Sequence, residues 1–220
     1  MEFLDFIFPK TCLSCGKHGN YICLECLAKV RLSKPICPYC EKASIDGITH
    51  IKCQKKYGLN GLISVWEYEG VIRKAVLALK YRYATAIGDE LVNYLTDKLK
   101  ELILPNTSHL MPVPIYWYRQ NVRGFNQSNL VGGAVAKTLN LKFVPDLLVR
   151  RKQTIPQVEL SGVARRQNLK GVFVTNPGIE IPDSVLLFDD VFTTGSTLFE
   201  ATKTLKHARV QKVWGLTIAR

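Results

Sequence analysis

The stretch from Val185 to Leu198 constrains the fold of this chain more than any other segment. Its first four residues are apolar and match a buried parallel strand, and two carboxylates, Asp189 and Asp190, stand where that strand is expected to end. The loop Thr193-Thr-Gly-Ser-Thr197 then leads into a helical stretch. A strand, a glycine-containing loop and a helix in this order predict an open α/β sheet, which binds ligands at the carboxyl ends of its strands.

The loop and the two acids together fit a phosphorylated sugar. A helix N-terminus directs N–H groups and the positive end of the helix dipole at one point, and hydroxyl side chains add donors there, so a phosphate monoester fits. Carboxylates beside it can accept hydrogen bonds from ribose hydroxyls. The residues assigned to the phosphate pocket are Thr193, Thr194, Gly195, Ser196 and Thr197. The alternative is an ordinary helix start, with Ser196 or Thr197 as its cap and the acids in a solvated turn.

All seven cysteines lie in one N-terminal region. Six form three pairs whose members are separated by two residues, and the seventh, Cys53, has the same spacing from His50. The residues with metal-binding side chains are Cys12, Cys15, Cys23, Cys26, Cys37, Cys40, His50 and Cys53. This spacing favours structural zinc over disulfides, because the N-terminal residues do not have the basic region of a secretory signal. Eight ligands suffice for two ions. Sequential pairing and crossed pairing of the four pairs are both compatible with the spacing, as is one zinc ion with spare thiols.

Length and charge limit the organisation of the 220-residue chain, whose formal net charge is +12. Its size accommodates one sizeable core and a small appendage, so we expect a double zinc ribbon-like head over 1–57 and a second domain over 58–220. The charge predicts a polyanionic partner, either nucleic acid or phosphorylated small molecules. No apolar run reaches the roughly 20 residues of a membrane-spanning helix, so we expect a cytoplasmic protein without membrane insertion.

Between the head and the phosphate pocket, the hydrophobic pattern alternates between strands and helices. The expected elements are a strand over 62–68, helices over 71–79 and 87–104, a strand over 109–114, and a helix over 128–139. Followed by the strand, loop and helix of 185–207, they predict βαβ units. The sequence therefore predicts an α/β domain with a parallel sheet, next to a small cysteine-rich zinc-binding domain.

Two basic segments are candidates for contacts with phosphates. Arg119 and Arg123 follow the strand that ends at Pro114, so they would lie at the same sheet edge as the phosphate pocket and face a pyrophosphate, or else be solvated surface. Residues 150–170 carry six basic side chains against one acid, Glu159. This composition favours a loop that closes over a phosphorylated ligand or contacts nucleic acid, and the alternative is a solvated linker.

With these residues in place, the chain resembles the ComF family, bacterial proteins that join a cysteine-rich zinc head to a type I phosphoribosyltransferase-like domain. The resemblance covers nearly the whole chain, and residues 185–197 are similar to the signature by which type I phosphoribosyltransferases bind phosphoribosyl pyrophosphate (PRPP). The other motifs that carry it are the paired cysteines, Lys80-Tyr81, Pro112-Val-Pro114, Arg119, Arg123-Gly-Phe-Asn-Gln127, Arg150, Thr154, Gln157 and Arg165. His50 stands where the family usually has a cysteine.

The resemblance implies that PRPP binds together with Mg²⁺. It assigns Asp189 and Asp190 to the ribose and the magnesium ion, and Pro114, Arg119 and Arg123 to the pyrophosphate side. The residues that it assigns to a flexible loop are Arg150, Lys152, Thr154, Gln157 and Arg165.

The resemblance also implies a role in natural transformation, with single-stranded DNA and other proteins of the DNA-import machinery as partners. The alternative is an active phosphoribosyltransferase that acts on an unidentified nitrogen base or nucleotide precursor, because similar enzymes displace pyrophosphate from PRPP. A zinc-dependent transcription factor is disfavoured, since no recognition helix with clustered basic and amide residues follows the cysteines.

Overall fold

A five-stranded parallel sheet forms the centre of the computed structural model, which describes residues 10–79, 84–114, 127–151 and 171–220. The strands in chain order are β1 (Gly61–Trp66), β2 (His109–Pro112), β3 (Lys142–Phe143), β4 (Leu148–Arg150), β5 (Phe173–Thr175), β6 (Ser184–Val191) and β7 (Lys212–Ala219). The central sheet has the order β1-β7-β6-β2-β3, with every neighbouring pair parallel. Strands β4 and β5 form a separate antiparallel pair.

Helices cover both faces of this sheet. They are α1 (Leu24–Leu27), α2 (Gly70–Ala78), α3 (Ala84–Lys100), α4 (Gln127–Thr138) and α5 (Ser196–His207), with short 3-10 turns at Ile45–Gly47 and Ile51–Cys53. Leu186 and Phe188 of β6 pack in the cluster that includes α2, α3 and α4, whereas Leu187 packs in the cluster that includes α5. Among the described helices, none has the length and apolar character needed to cross a membrane.

The parallel α/β architecture confirms the fold class predicted from the sequence. The elements predicted around residues 62–139 are all present, with ends shifted by a few residues. Strand β7 was not predicted, although it lies between β1 and β6 and pairs with both. Thr217 of β7 is fully buried, and its Oγ1 lies 2.6 Å from Oγ of the half-buried Ser64 on β1, so a hydroxyl pair joins the two strands.

The cysteine-rich head covers the outer edge of β1. Leu32 forms an antiparallel bridge with Trp66 at one end of the strand, and Ile48 forms another with Gly61 at the other end. The head also contributes Ile22 to the same hydrophobic cluster as α2 and α3. Covering an edge strand removes a surface that would otherwise pair with other chains. The boundary at residues 57 and 58 stays a prediction, and the hydrophobic core runs across it.

Gly61 of β1 makes room for the Trp214 side chain of the neighbouring strand β7. A Cβ atom at this position would lie 2.1 Å from Cζ3 of Trp214, which is far inside van der Waals contact. We therefore expect Gly61→Ala to lower the free energy of unfolding by about 2 kcal/mol, the typical cost of overpacking. Gly178→Ala is the matched control, because its Cβ would meet only Oδ1 of Asn176 at 3.6 Å. Urea unfolding of both variants checks this, and equal stabilities would contradict it.

Candidate functional site

The phosphate loop, residues 193–197, ends at the first turn of α5. Gly195 is the N-cap of the helix and has a left-handed backbone with φ of 67°. The first helical bond runs from the Phe199 N–H to the Gly195 C=O at 2.8 Å, so the N–H groups of the first turn point out of the helix start. The cap is thus a glycine, and the alternative in which Ser196 or Thr197 caps the helix is not realised.

The hydroxyl groups of the loop lie on both sides of Gly195. Thr193 and Thr194 are exposed, while Ser196 is buried. The Oγ1 of Thr194 lies 2.8 Å from the Oγ of Ser196, so these hydroxyls already form one hydrogen bond across the loop. This arrangement combines a helix N-terminus, a left-handed glycine and exposed hydroxyls. The backbone N–H groups and the hydroxyls can donate hydrogen bonds to an anion there.

Asp189 and Asp190 lie within the last three residues of β6, so the strand runs slightly past the end that the apolar residues predict. Both are half-buried, and each accepts a backbone hydrogen bond: Asp189 Oδ1 from Asp190 N–H at 2.9 Å, and Asp190 Oδ1 from Val191 N–H at 2.8 Å. Both carboxyl groups therefore lie at the carboxyl end of the central strand β6, directly before the phosphate loop.

Tyr68 is close enough to feel the charge of Asp190, and the sequence did not predict it as a residue of the site. Burial, and then the negative charge of Asp190, raise the pKa of Tyr68. Its N–H donates to the C=O of Arg220 at 2.7 Å, which fixes it just beyond the carboxyl end of β1. Because 121 residues separate Tyr68 and Asp189 along the chain, only the strand order β1-β7-β6 brings them to one sheet edge.

Two of the other residues predicted to contact the ligand, Pro114 and Arg150, lie in the described part of the chain. Pro114 follows β2 at the same sheet edge as the acids, since the neighbouring Val113 N–H donates to the Phe188 C=O at 2.8 Å. Arg150 ends β4, with its guanidinium carbon 5.9 Å from the centre of the Phe173 ring. The predicted residues outside the described part of the chain are Arg119, Arg123, Lys152, Thr154, Gln157 and Arg165. Their roles stay predictions.

The predicted metal ligands come together in two groups of four. The first cluster is Cys12, Cys15, Cys23 and Cys26, and the second cluster is Cys37, Cys40, His50 and Cys53. Within each cluster the ligand atoms all lie within 4.8 Å of one another. The structure therefore selects sequential pairing over the crossed pairing that the spacing left open. Four sulfurs in one cluster, and three sulfurs with one imidazole in the other, are ligand sets typical of structural zinc.

The two clusters are built on the same backbone turn. In the first, Gly16 N–H donates to Cys12 C=O at 2.9 Å, and in the second, Glu41 N–H donates to Cys37 C=O at 2.9 Å. Both turns place the residue after the second cysteine in the left-handed region, with φ of 76° at Gly16 and 57° at Glu41. Glycine adopts this conformation without strain, whereas Glu41 does so at an energetic cost.

His50 presents one defined ring nitrogen to the second cluster. Its Nδ1 lies 3.3 Å from the Sγ of Cys40, and its Nε2 lies 3.0 Å from the C=O of Ala43. A carbonyl only accepts hydrogen bonds, so Nε2 carries the proton and Nδ1 has the lone pair that a metal needs. This arrangement suits zinc and shows how a histidine serves in place of a cysteine.

Ionisation in the first cluster also fits a bound cation. Burial raises the pKa of the Cys12 thiol, but N–H donors led by Cys15 and Cys23 outweigh it and bring the pKa down to about 6. Hydrogen bonds with neighbouring thiols, first with Cys15, raise the pKa of Cys26 to about 12. One sulfur thus ionises readily while another keeps its proton. A divalent ion would neutralise the charge and allow all four to bind as thiolates.

We expect two zinc ions per chain in reduced protein. Cys15→Ala and Cys40→Ala, which each remove one ligand of a different cluster, should each lower the content to about one ion. Elemental analysis of the purified variants checks this. One ion in the parent protein, or loss of both ions in either variant, would contradict two independent closed sites.

Comparison with known proteins places the head and the whole chain in a family. Residues 3–55 match the model of the Double zinc ribbon domain. Competence protein F of Haemophilus influenzae is 30% identical over 235 aligned positions, which cover 100% of both chains. DNA utilization protein YhgH of Escherichia coli K12 is 29% identical, with 93% of this chain and 92% of that protein covered. Competence protein ComFC of Streptococcus pneumoniae is 23% identical over 90% of this chain and 87% of its own length.

Solved structures also match part of the chain. A glutamine PRPP amidotransferase from B. subtilis matches 61% of this chain and 27% of its own length, with 15% identity and a TM-score of 0.42. An adenine phosphoribosyltransferase from Leishmania tarentolae matches 59% of this chain and 55% of its own length, with 17% identity and a TM-score of 0.34.

Proposed function

The chain belongs to the ComF family of competence proteins, and from that premise we propose that it binds PRPP and handles single-stranded DNA in the cytoplasm during natural transformation. The observation that carries the PRPP part is the left-handed Gly195 at the start of α5, with two carboxylates on the adjoining strand. The names of the relatives, which refer to competence and DNA utilization, support the DNA part.

PRPP fits the chemistry at the carboxyl edge of the sheet. Its 5-phosphate accepts hydrogen bonds from the first turn of α5 and from the exposed hydroxyls of Thr193 and Thr194. Asp189 and Asp190 accept hydrogen bonds from the ribose hydroxyls or hold Mg²⁺, which prefers carboxylate oxygens and substrate phosphates. Pro114 lies at the same edge, where the sequence predicts that Arg119 and Arg123 meet the pyrophosphate.

Asp190→Asn tests the ribose contact without changing the size of the side chain. A hydrogen bond to a charged group contributes about 1.5–3 kcal/mol, so we expect PRPP affinity in Mg²⁺ to fall about 10- to 100-fold. Asp183→Asn is the matched control, because Asp183 is exposed just before the opposite end of β6. Isothermal titration calorimetry measures both.

Equal affinities in the two variants, or no PRPP binding by the parent protein, would overturn the assignment. An unchanged thermal midpoint in Asp190→Asn shows that any loss of affinity arises at the site and not from unfolding. Adding nitrogen bases to the PRPP complex and measuring released pyrophosphate then separates ligand binding from phosphoribosyl transfer.

A basic and aromatic surface at the C-terminal end of α5 is suited to single-stranded DNA. The Tyr57 ring stacks on His207 with centroids 4.0 Å apart, and Lys56 Nζ lies 5.4 Å from the centre of the Tyr57 ring. Lys203 lies one turn before His207 on the same helix face. The N–H of Gly171 donates to the Glu200 carboxylate of α5 at 2.6 Å.

This surface combines the two features that bind single strands without sequence preference. Lysines attract the phosphate backbone, and an exposed aromatic ring stacks with bases. Tyr57 is 36% exposed even with His207 against it. Lys56 and Lys203 are both exposed, so their ammonium groups can reach phosphates without rearrangement of the fold.

Replacing residues of this surface should weaken DNA binding in two distinguishable ways. Lys203→Glu should lower affinity for oligothymidylate and reduce the slope of log affinity against log salt by about 0.7, the contribution of one phosphate contact. Tyr57→Ala should lower affinity about five- to hundredfold with little change in slope, since base stacking contributes about 1–3 kcal/mol. Fluorescence anisotropy over a salt series measures both effects.

Lys137→Glu is the matched control. It makes the same charge change at an exposed position of α4, and this helix packs on the opposite face of the sheet. Equal losses in Lys137→Glu and Lys203→Glu would show that only net charge matters and would exclude a defined surface at α5.

A further inference from the structure

We propose that Tyr39 is a positioning residue for the phosphate loop, through which the second zinc cluster holds the loop in its binding conformation. Tyr39 lies inside the turn that carries two ligands of that cluster, Cys37 and Cys40. The link between the cluster and the loop rests on aromatic contacts between described residues. It deepens the proposed function, because it concerns the same phosphate site.

The first contact joins the zinc head to α5. The Tyr39 ring stacks on the Phe199 ring with centroids 4.7 Å apart and an interplanar angle of 10°. The Tyr39 hydroxyl accepts a hydrogen bond from Leu59 N–H at 2.8 Å, so both ends of the side chain are fixed. Lys55 Nζ lies 4.6 Å from the centre of the same ring. Tyr39 is therefore an anchored surface against which Phe199 packs.

The second contact joins Phe199 to the phosphate loop. The Phe192 ring meets the Phe199 ring edge-on, with centroids 6.1 Å apart and an angle of 82°. A Cβ on Gly195 would lie 2.6 Å from the Phe192 ring and 2.7 Å from the Phe199 ring. The two rings thus form the rear wall of the loop, directly behind the residue that has to keep φ at 67°.

These contacts also revise what a larger residue at Gly195 would do. The sequence pattern predicts Gly195 as part of the phosphate pocket. The structure shows that a side chain there would first collide with Phe192 and Phe199. Substitution of Gly195 would therefore disturb the rear wall as well as the ligand site, and Tyr39 gives a cleaner test because it lies outside the loop.

The first cluster supplies an internal comparison. Ser14 occupies the position in the first turn that Tyr39 occupies in the second. Around the first cluster, the contacts are with other elements: Ile22 N–H donates to Glu90 of α3, and Lys74 of α2 donates to the Ser14 C=O. Two clusters of similar construction therefore pack on different parts of the body, and the second is the one whose turn contacts α5.

Amide hydrogen exchange of the two hydrogen-bonded N–H groups that flank the loop, those of Phe192 and Phe199, tests the proposal without any ligand. We expect Tyr39→Leu to speed exchange there about two- to tenfold, as the loss of one stacked aromatic pair implies. Tyr39→Phe keeps the stacked ring but removes the acceptor of the Leu59 N–H, so exchange should rise less than in Tyr39→Leu. Ser14→Ala is the control in the first cluster, and the amides of residues 185–188 in β6 report any global loss of stability.

Unchanged exchange in Tyr39→Leu, or an equal increase in Tyr39→Phe, would overturn the proposal. The cluster itself is tested by Cys40→Ala and Cys15→Ala, whose zinc content is checked by elemental analysis. Only Cys40→Ala should speed exchange at Phe192 and Phe199, and equal effects of the two variants would count against a link from the second cluster.

Calorimetry with PRPP then measures the effect on the ligand. Tyr39→Leu should weaken binding about two- to tenfold relative to the parent protein, and Tyr39→Phe should restore it. If the parent protein fails to bind PRPP, the proposed function is wrong, while altered exchange in Tyr39→Leu still supports the positioning role. If PRPP binds equally well to Tyr39→Leu and to the parent, the link to affinity is refuted.

Discussion

The parallel pairing of β6 with β7 is the interaction on which the rest of the structure depends. It runs from Ser184 opposite Lys212 to Val191 opposite Ala219, and Phe192 N–H extends it by donating to the Ala219 C=O at 2.9 Å. This last bond fixes the start of the phosphate loop. The same strand β7 pairs with β1 on its other side, so one strand joins the two acids, the loop and the edge that the zinc head covers.

Local patterns in the sequence predicted the parts of the site that are contiguous in the chain. Two acids, a hydroxyl-rich loop with Gly195 and a helix occur in order, so one segment carried the whole prediction. The cysteine pairs likewise predicted eight ligands. The choice between sequential and crossed pairing could not be made, because the tight turn that brings Cys15 near Cys23 depends on backbone bonds such as Cys12 N–H to Lys17 C=O.

The contacts that sequence analysis missed all join distant segments. Strand β7 carries alternating apolar residues such as Val213, but its place between β1 and β6 follows from strand order. The charge of Asp190 acts on Tyr68 only because that order brings the ends of β1 and β6 to one edge. Tyr39 and Phe199 are separated by 160 residues, and their stacking depends on how the head packs against α5. No local periodicity encodes such contacts.

The zinc head packs against the α/β part of the chain, and its two clusters contact different elements there. The first lies in the hydrophobic cluster of α2 and α3, to which it contributes Cys12 and Cys26 as buried residues. The second places Tyr39 against α5 and accepts a strained Glu41 where the first turn has a glycine. Metal binding supplies folding free energy. In this fold a metal at the first cluster would stabilise the packing against α2 and α3, and a metal at the second would stabilise the contact of Tyr39 with α5.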